Sequence, residues 1–160
     1  MAARKKQYFE LTQDGFDKKK EELSFLKDVR REEILEELKE ARAQGDLSEN
    51  ADYDAARNAQ AINEAKIAEL ENIIKYAKII KTDSSDDVVN IGKKVTISYV
   101  GNDQQKVFQL VSTIEANPKD GKISVESPLG KAIRNCQKGD TVSVKSESGK
   151  VFEVIINDIQ

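Results

Sequence analysis

Histidine and tryptophan are absent from this chain of 160 residues, and there is one cysteine. Without histidine the chain lacks the usual general base near neutral pH and the commonest ligand for transition metals. Cys136 alone forms neither an internal disulfide nor a thiolate zinc cage. With no histidine to activate the thiol, Cys136 is expected to be a small packing residue, and a lone cysteine suits a reducing cytoplasm. Long hydrophobic runs are missing too. None follows the basic start Met1-Ala-Ala-Arg-Lys-Lys6, so neither a signal peptide nor a membrane span is expected.

What is present is charge. Hydrophobic residues make up 38% of the chain and charged residues 34%, too charged for one spherical core and too hydrophobic for a disordered chain. That balance suits a protein with an elongated helical part whose faces are largely solvated. The formal net charge of −3 means that the whole molecule is no electrostatic magnet for nucleic acid.

The pattern divides into two halves, and the expected fold class is α+β. From Thr12 to about Ile80 the periodicity is helical. Thr12 is a candidate cap for a helix that opens at Gln13 or Asp14. Leu23, Leu26, Ile34, Leu38 and Ala41 gather on one side of it. A second helix is expected from about Ser48 to Ile80. In it Ala56, Asn63, Leu70 and Ala77 recur every seven residues, with Gln60, Ile67 and Ile74 as the companion register. Gly45, in the connection Gln44-Gly45-Asp46-Leu47, suits the end of a helix, and so short a connection makes the helices antiparallel. The predicted element is an antiparallel two-helix coiled coil over residues 1–80, with its tip near 45–49. Each helix of about thirty residues would be roughly 45 Å long. Alanine and asparagine near the tip supply little burial, so the tip should be the least stable part.

Residues 81–90, including Thr82-Asp-Ser-Ser-Asp-Asp87, read as a linker. Residues 91–160 change to period two. Strands are expected around Val95–Tyr99, Val107–Val111, Ile123–Val125, Val142–Val144 and Val151–Ile155, the last two joined by the hairpin turn Ser146-Glu-Ser-Gly149. Pro128 opens a short helix running to about Asn135, and Gly139-Asp140 turns the chain into the hairpin. The second half therefore reads as a small antiparallel-sheet domain with a short helix.

Asp46 and Glu49 are the candidate chemistry, and two readings fit their spacing. In one, an acid at the cap and a glutamate three positions later form a variant of the capping box, favoured further by the helix dipole. In the other, residues three apart share a helix face, and two exposed carboxylates hold one hard divalent cation. Two carboxylates alone are too few to bind magnesium tightly, so the remaining oxygen ligands would come from a partner and its substrate.

The run Gly45-Asp46-Leu47-Ser48-Glu49-Asn50-Ala51-Asp52-Tyr53-Asp54-Ala55-Ala56-Arg57 closely resembles the tip of the bacterial transcription elongation factors of the Gre family. Leu23-Ser-Phe-Leu-Lys27, Ala41-Arg42, Ser127-Pro-Leu-Gly-Lys-Ala132 and Gly139-Asp140 also look like that family, in order and across both halves. The resemblance implies an FKBP-like second domain and an accessory factor rather than an enzyme. Gre factors bind RNA polymerase and insert the coiled coil through its secondary channel. There they stimulate the polymerase's own cleavage of backtracked nascent RNA, so that arrested complexes resume. By this resemblance Asp46 and Glu49 help hold Mg2+ and the attacking water jointly with the polymerase, in two-metal chemistry that needs no side-chain base.

Around them the resemblance suggests roles that compete with simpler ones. Asn50 either orients the acids or a water, or is an ordinary polar residue of the first helical turn. Tyr53 either approaches the RNA or packs across the seam. Arg42 and Arg57 either contact RNA phosphate or polymerase, or are solvated helix charges. Ser127 and Pro128 lie in the element that would dock on the polymerase rim, and Pro128 equally suits the start of a helix. The stretch Arg134-Asn-Cys-Gln-Lys138 is less typical of the family, and basic residues along the rod are interleaved with acids. The free protein is expected to be a monomer.

Three rivals remain. A channel-entering regulator that does not promote cleavage would alter the tip acids, which are both present here. A structural coiled coil would tolerate Asp46→Asn apart from a lost cap. A peptidyl-prolyl isomerase needs an aromatic-lined pocket, and the second half has mainly Tyr99, Phe108 and Phe152 to build one.

Overall fold

Thr12 opens the first long helix as its side chain leads one to expect. Its Oγ1 accepts a hydrogen bond from the Gly15 N–H at 3.1 Å. The computed structural model describes residues 7–45, 50–82 and 87–160. The elements in the first half are β1 (Phe9–Leu11), α1 (Gln13–Phe25), α2 (Arg31–Ala43), α3 (Ala51–Lys75) and β2 (Ala77–Ile79). In the second half come β3 (Lys94–Tyr99), β4 (Gln105–Val111), β5 (Lys122–Ser124), α4 (Pro128–Ile133), β6 (Thr141–Lys145) and β7 (Val151–Ile159). The described residues form two units: Phe16–Ala77 with residues 7–9, and Glu10–Gly15 with Lys78–Gln160. Strands β1 and β2 pair in a two-stranded sheet.

The first unit is built on the antiparallel pairing of α2 with α3. Arg31 meets Glu64 and Lys27 meets Glu71, so positions advance along one helix as they retreat along the other. Ile34, Leu38 and Ala56 form a buried cluster with Tyr53 and Ala59 packed against it. Farther along α3, Asn63, Ile67, Leu70 and Ile73 are buried. The seven-residue repeat through Ala56, Asn63 and Leu70 is seen, but its companion drifts: Ile73 is buried where Ile74 was expected. A straight helix has 3.6 residues per turn and slips against a 3.5-residue repeat.

One feature of the first helix had no signal in the periodicity. Leu26–Arg30 widens to a π-helical turn between α1 and α2, and the Arg31 N–H reaches back five residues to the Leu26 carbonyl. The buried side chain of Asn63 donates to the same carbonyl at 3.2 Å. A single π turn resets the phase of a helix face. Leu23 and Leu26, before or at it, are half-buried, whereas Ile34 and Leu38 beyond it are buried. An asparagine at a seam position also selects register, because only one alignment gives its amide a partner.

In the second unit a five-stranded sheet has the order β5-β4-β3-β7-β6. Pairs β3–β4, β3–β7 and β6–β7 are antiparallel, as expected. The expectation of a wholly antiparallel sheet is corrected at one edge, where β5 runs parallel to β4 with Leu110 opposite Ile123. The connection folds through two 3-10 turns, Thr113–Glu115 and Pro118–Asp120, which reverse the chain twice instead of once. Inward-facing Val95, Ile97, Leu110, Val144, Val154 and Ile156 make the core with Ile133 of α4. Val89 and Ile91 join that core, so the stretch expected as a linker over 81–90 contributes Val89 to the packing; residues 83–86 lie outside the described residues.

Helix α4 stops at Ile133, short of Asn135, because Arg134 turns extended and Asn135 takes a φ of 64°. Cys136 packs against the core as half-buried filler, and its thiol donates to the Ala132 carbonyl. Burial pushes that thiol's pKa up, with Asp140 adding to the shift. Within the same unit Glu115 accepts from both the N–H and the hydroxyl of Thr12, at 2.9 and 2.6 Å. Position 15 has to be glycine for this. A Cβ there would sit 1.7 Å from the Glu115 carboxylate oxygen.

Candidate functional site

Helix α2 ends as a glycine-terminated helix should. The N–H of Gln44 donates to the Ala41 carbonyl and that of Gly45 to the Arg42 carbonyl, each at 3.3 Å. Gly45 has a φ of 104°, a conformation that favours glycine. Asp46 and Glu49, with Leu47 and Ser48 between them, lie outside the described residues. Their neighbours Gly45 and Asn50 bracket them.

Helix α3 does not open where the sequence placed it. Its first residue is Ala51 rather than Ser48, and its cap is Asn50 rather than Asp46. Asn50 Oδ1 accepts from the N–H groups of Asp52 and Tyr53, each at 3.1 Å. Its Nδ2 donates across to the Ala41 carbonyl of α2 at 2.7 Å. One side chain thus satisfies two orphan donors of a helix start and ties that start to the neighbouring helix.

Behind this junction, Tyr53 is half-buried against Ile34, Leu38 and Ala56. The Arg42 guanidinium lies over its ring, 5.8 Å from the centroid. Tyr53 is therefore a brace across the seam, and Arg42 stacks on it from the opposite helix. Arg57 donates to Gln60 at 3.1 Å on the exposed face of α3.

Two open grooves flank the seam here. One, of about 240 Å³, is lined by Leu35, Leu38, Lys39, Arg42, Arg57 and Gln60. The other, of about 450 Å³, has a floor of Ala41, Ala55, Ala56 and Ala59 and a rim that includes Glu37, Glu40 and Asp52. All the charged residues lining the first are cationic, and all those lining the second are anionic. The alternation along the sequence hides this sorting. Lys39 and Arg42 are three apart on one side of α2, and Glu37, Glu40 and Gln44 are spaced three and four on the other. Sequence reasoning named Arg42 and Arg57 but missed Lys39 and the whole acidic flank; a helical wheel drawn from the Leu38–Ala41 seam finds both.

Ser127 and Pro128 belong to the second unit and have clear local tasks. Ser127 caps α4, accepting from the Gly130 N–H at 3.0 Å and donating to the Ser124 carbonyl at 2.6 Å. Pro128 is the first residue of that helix, where its missing N–H costs nothing.

Comparison with known proteins covers both units. Residues 9–79 match the family model described as transcription elongation factor, N-terminal, and residues 84–160 match that for the GreA/GreB C-terminal region. The transcription elongation factor GreA of Acholeplasma laidlawii is 55% identical over 154 residues, which is 96% of this chain and 98% of that protein. The transcription elongation factor GreA of Macrococcus caseolyticus is 43% identical over 94% of this chain and 96% of its own length. Among solved structures, GreA factor homolog 1 of Thermus thermophilus is 28% identical, with 96% of this chain and 99% of that one covered and a TM-score of 0.44.

Proposed function

The chain belongs to the GreA/GreB family of transcription elongation factors, and from that premise we propose that it stimulates RNA polymerase to cleave its own backtracked transcript, entering the polymerase's secondary channel with the helix junction leading. It acts as an accessory factor, with the polymerase performing the hydrolysis. Asp46 and Glu49 supply the carboxylates and complete a cation site only when the two proteins meet.

The observation that carries this reading is the identity of the α3 cap. Asn50 already holds the donors of Asp52 and Tyr53, so α3 does not need Asp46 as its cap. An all-oxygen donor pair fits Mg2+, which takes hard ligands and keeps several waters for a partner to replace. Bound there, the ion would polarise a water for attack on the RNA phosphodiester. The protein's own residues orient and exclude. Tyr53 and Arg42 stiffen the junction behind the acids, and the flank of Lys39, Arg42 and Arg57 faces RNA phosphates or acidic polymerase surface. Ser127 and Pro128 lie on the surface of the second unit that docks at the channel rim. The factor works as a monomer in the cytoplasm; among the described residues no helix is long and apolar enough to cross a membrane.

The test is a stalled elongation complex with Mg2+. Adding the protein should shorten the RNA from its 3′ end, while the protein without polymerase should cut nothing. Asp46→Asn and Glu49→Gln should each lose the stimulation, on the order of a hundredfold, while still competing for polymerase. Normal cleavage by both variants would sink the cation role.

A further inference from the structure

We propose that Asn63 is a wedge that holds the π turn at Leu26–Arg30 open and so locks the rotational phase of the first helix. Eight residues separate Leu26 from Ile34, about 80° of arc on a regular α-helix, an offset that a broad apolar face tolerates. One residue taken up by the π turn leaves an effective spacing of seven, which brings the two side chains onto one line. Were Leu26–Arg30 α-helical, the seven-residue stripe running back from Ile34 and Leu38 would pass instead through Lys27 and Ser24. Both are polar; Ser24 is exposed and Lys27 is paired with Glu71. The π phase keeps Leu23 and Leu26 half-buried and leaves Phe25 and Val29 exposed.

A π turn gives up four-residue bonds and persists where a side chain is inserted into the ladder. Asn63 is the polar residue among those that α3 buries, at 6% exposure. Its Nδ2 donates to the Leu26 carbonyl at 3.2 Å, and that same oxygen accepts from the Arg31 N–H five residues on. In an α-helix the Leu26 carbonyl would accept from Arg30, four residues on. The inserted amide displaces that bond in favour of the five-residue one. A carbonyl oxygen has two lone pairs, so both donors are held at once. Exposed ion pairs flank the turn, Lys27 with Glu71 and Arg31 with Glu64, but pairs of this kind contribute little. A polar residue in a helical seam lowers stability, and what it supplies in return here is a fixed phase.

Asn63→Leu removes the donor at nearly constant volume. The thermal midpoint should hold level or rise, because the seam becomes apolar at that position. Amide exchange at Arg30 and Arg31, followed by NMR on the full chain, should nonetheless speed up about tenfold or more, while exchange at Leu38 and Ala41 keeps the parent rate. Deletion of Asp28 makes the spacing seven and the π turn unnecessary. In that background Asn63→Leu should leave exchange at Arg30 and Arg31 unchanged. Parent-like exchange at these two amides in Asn63→Leu overturns the inference. A fall in midpoint that speeds every helical amide alike also overturns it, since Asn63 would then only fill the seam. Equal acceleration with and without Asp28 does so too, because the amide would then act on the helix pair and not on the turn. Should the deletion variant fail to fold, the comparison of Asn63→Leu with the parent decides alone.

Discussion

The paired helices and the sheet unit are held by different physics. In the sheet unit, Val95, Ile97, Leu110, Val154 and Ile156 are wholly buried in one continuous core. In the paired helices the seam near the junction is made of Ala41, Ala56 and Ala59 with Ile34 and Leu38. Full burial of a leucine or isoleucine contributes about 1.5–3 kcal/mol, and an alanine far less. The helices compensate with proximity and charge. Arg31 grips Glu64 through two hydrogen bonds of 2.8 Å, Arg30 reaches Glu33 and Glu37, and Lys27 pairs with Glu71. Such exposed pairs are individually weak. The contrast teaches that a slender helix pair trades burial for thinness, as the proposed entry into a channel requires.

The sharpest way to test the contrast is to remove apolar volume from each region. Ile156→Ala should destabilise the sheet unit by roughly 2–5 kcal/mol, because a wholly buried side chain leaves a cavity. Ala56→Gly in the helical seam should cost only about 1 kcal/mol, mainly through backbone entropy. Hydrogen exchange of β7 and α3 amides under mild denaturant would read the two separately, and equal costs would break the contrast.

Next in size is the sorting of charge across the seam. Arg57→Glu should lower stimulated cleavage about fivefold, more at low salt than at high. Glu40→Lys, on the opposite flank, should leave it within about twofold. Equal effects of the two reversals would show that the flanks are not read differently by the partner.

The smallest effect is a pH dependence read in the helices. The Arg31 hydrogen bond, with its charge, holds the Glu64 carboxyl below its usual pKa. A folded-state pKa lower than the unfolded one gives stability that is present above the unfolded value and lost as pH falls through the folded value. Melting followed by helical circular dichroism should therefore lose a small increment on acidification below about pH 4.5. Glu64→Gln should remove that increment, and raising the salt concentration should shrink it. An unchanged acid profile in the variant would assign the dependence to other carboxylates.

Much of this architecture was legible because it depends on local rules. Thr12 as a cap, Gly45 as a terminator, Pro128 as a helix start and the 146–149 turn all follow from backbone chemistry that a few adjacent residues decide. The seam through Ala56, Asn63 and Leu70 was legible because a repeat of apolar or small residues has one consistent geometry. The resemblance carried by residues 45–57 identified the candidate acids, which spacing alone left balanced against a capping box.

What stayed hidden depends on partners distant in sequence. Asn50 became the cap because Ala41, on the other helix, offers its carbonyl to the far end of the amide. The π turn at Leu26–Arg30 is accompanied by Asn63, which is far along the chain and supplies a second donor. β5 lies parallel to β4 because two 3-10 turns outvote the simpler reversal. The cationic and anionic flanks appear only once two helices share a seam, since sequence order interleaves charges that helical geometry then separates. Sequence by itself thus determined the long helices and the strands of the second half and singled out the candidate acids, because those are short-range matters of periodicity and side-chain type; it missed β1 and β2, for α3 ends at Lys75 and Ala77–Ile79 is a strand where a helix to Ile80 was expected. Tertiary structure decided what each polar group is bonded to, because a hydrogen bond is satisfied by whichever partner the fold brings within about 3 Å.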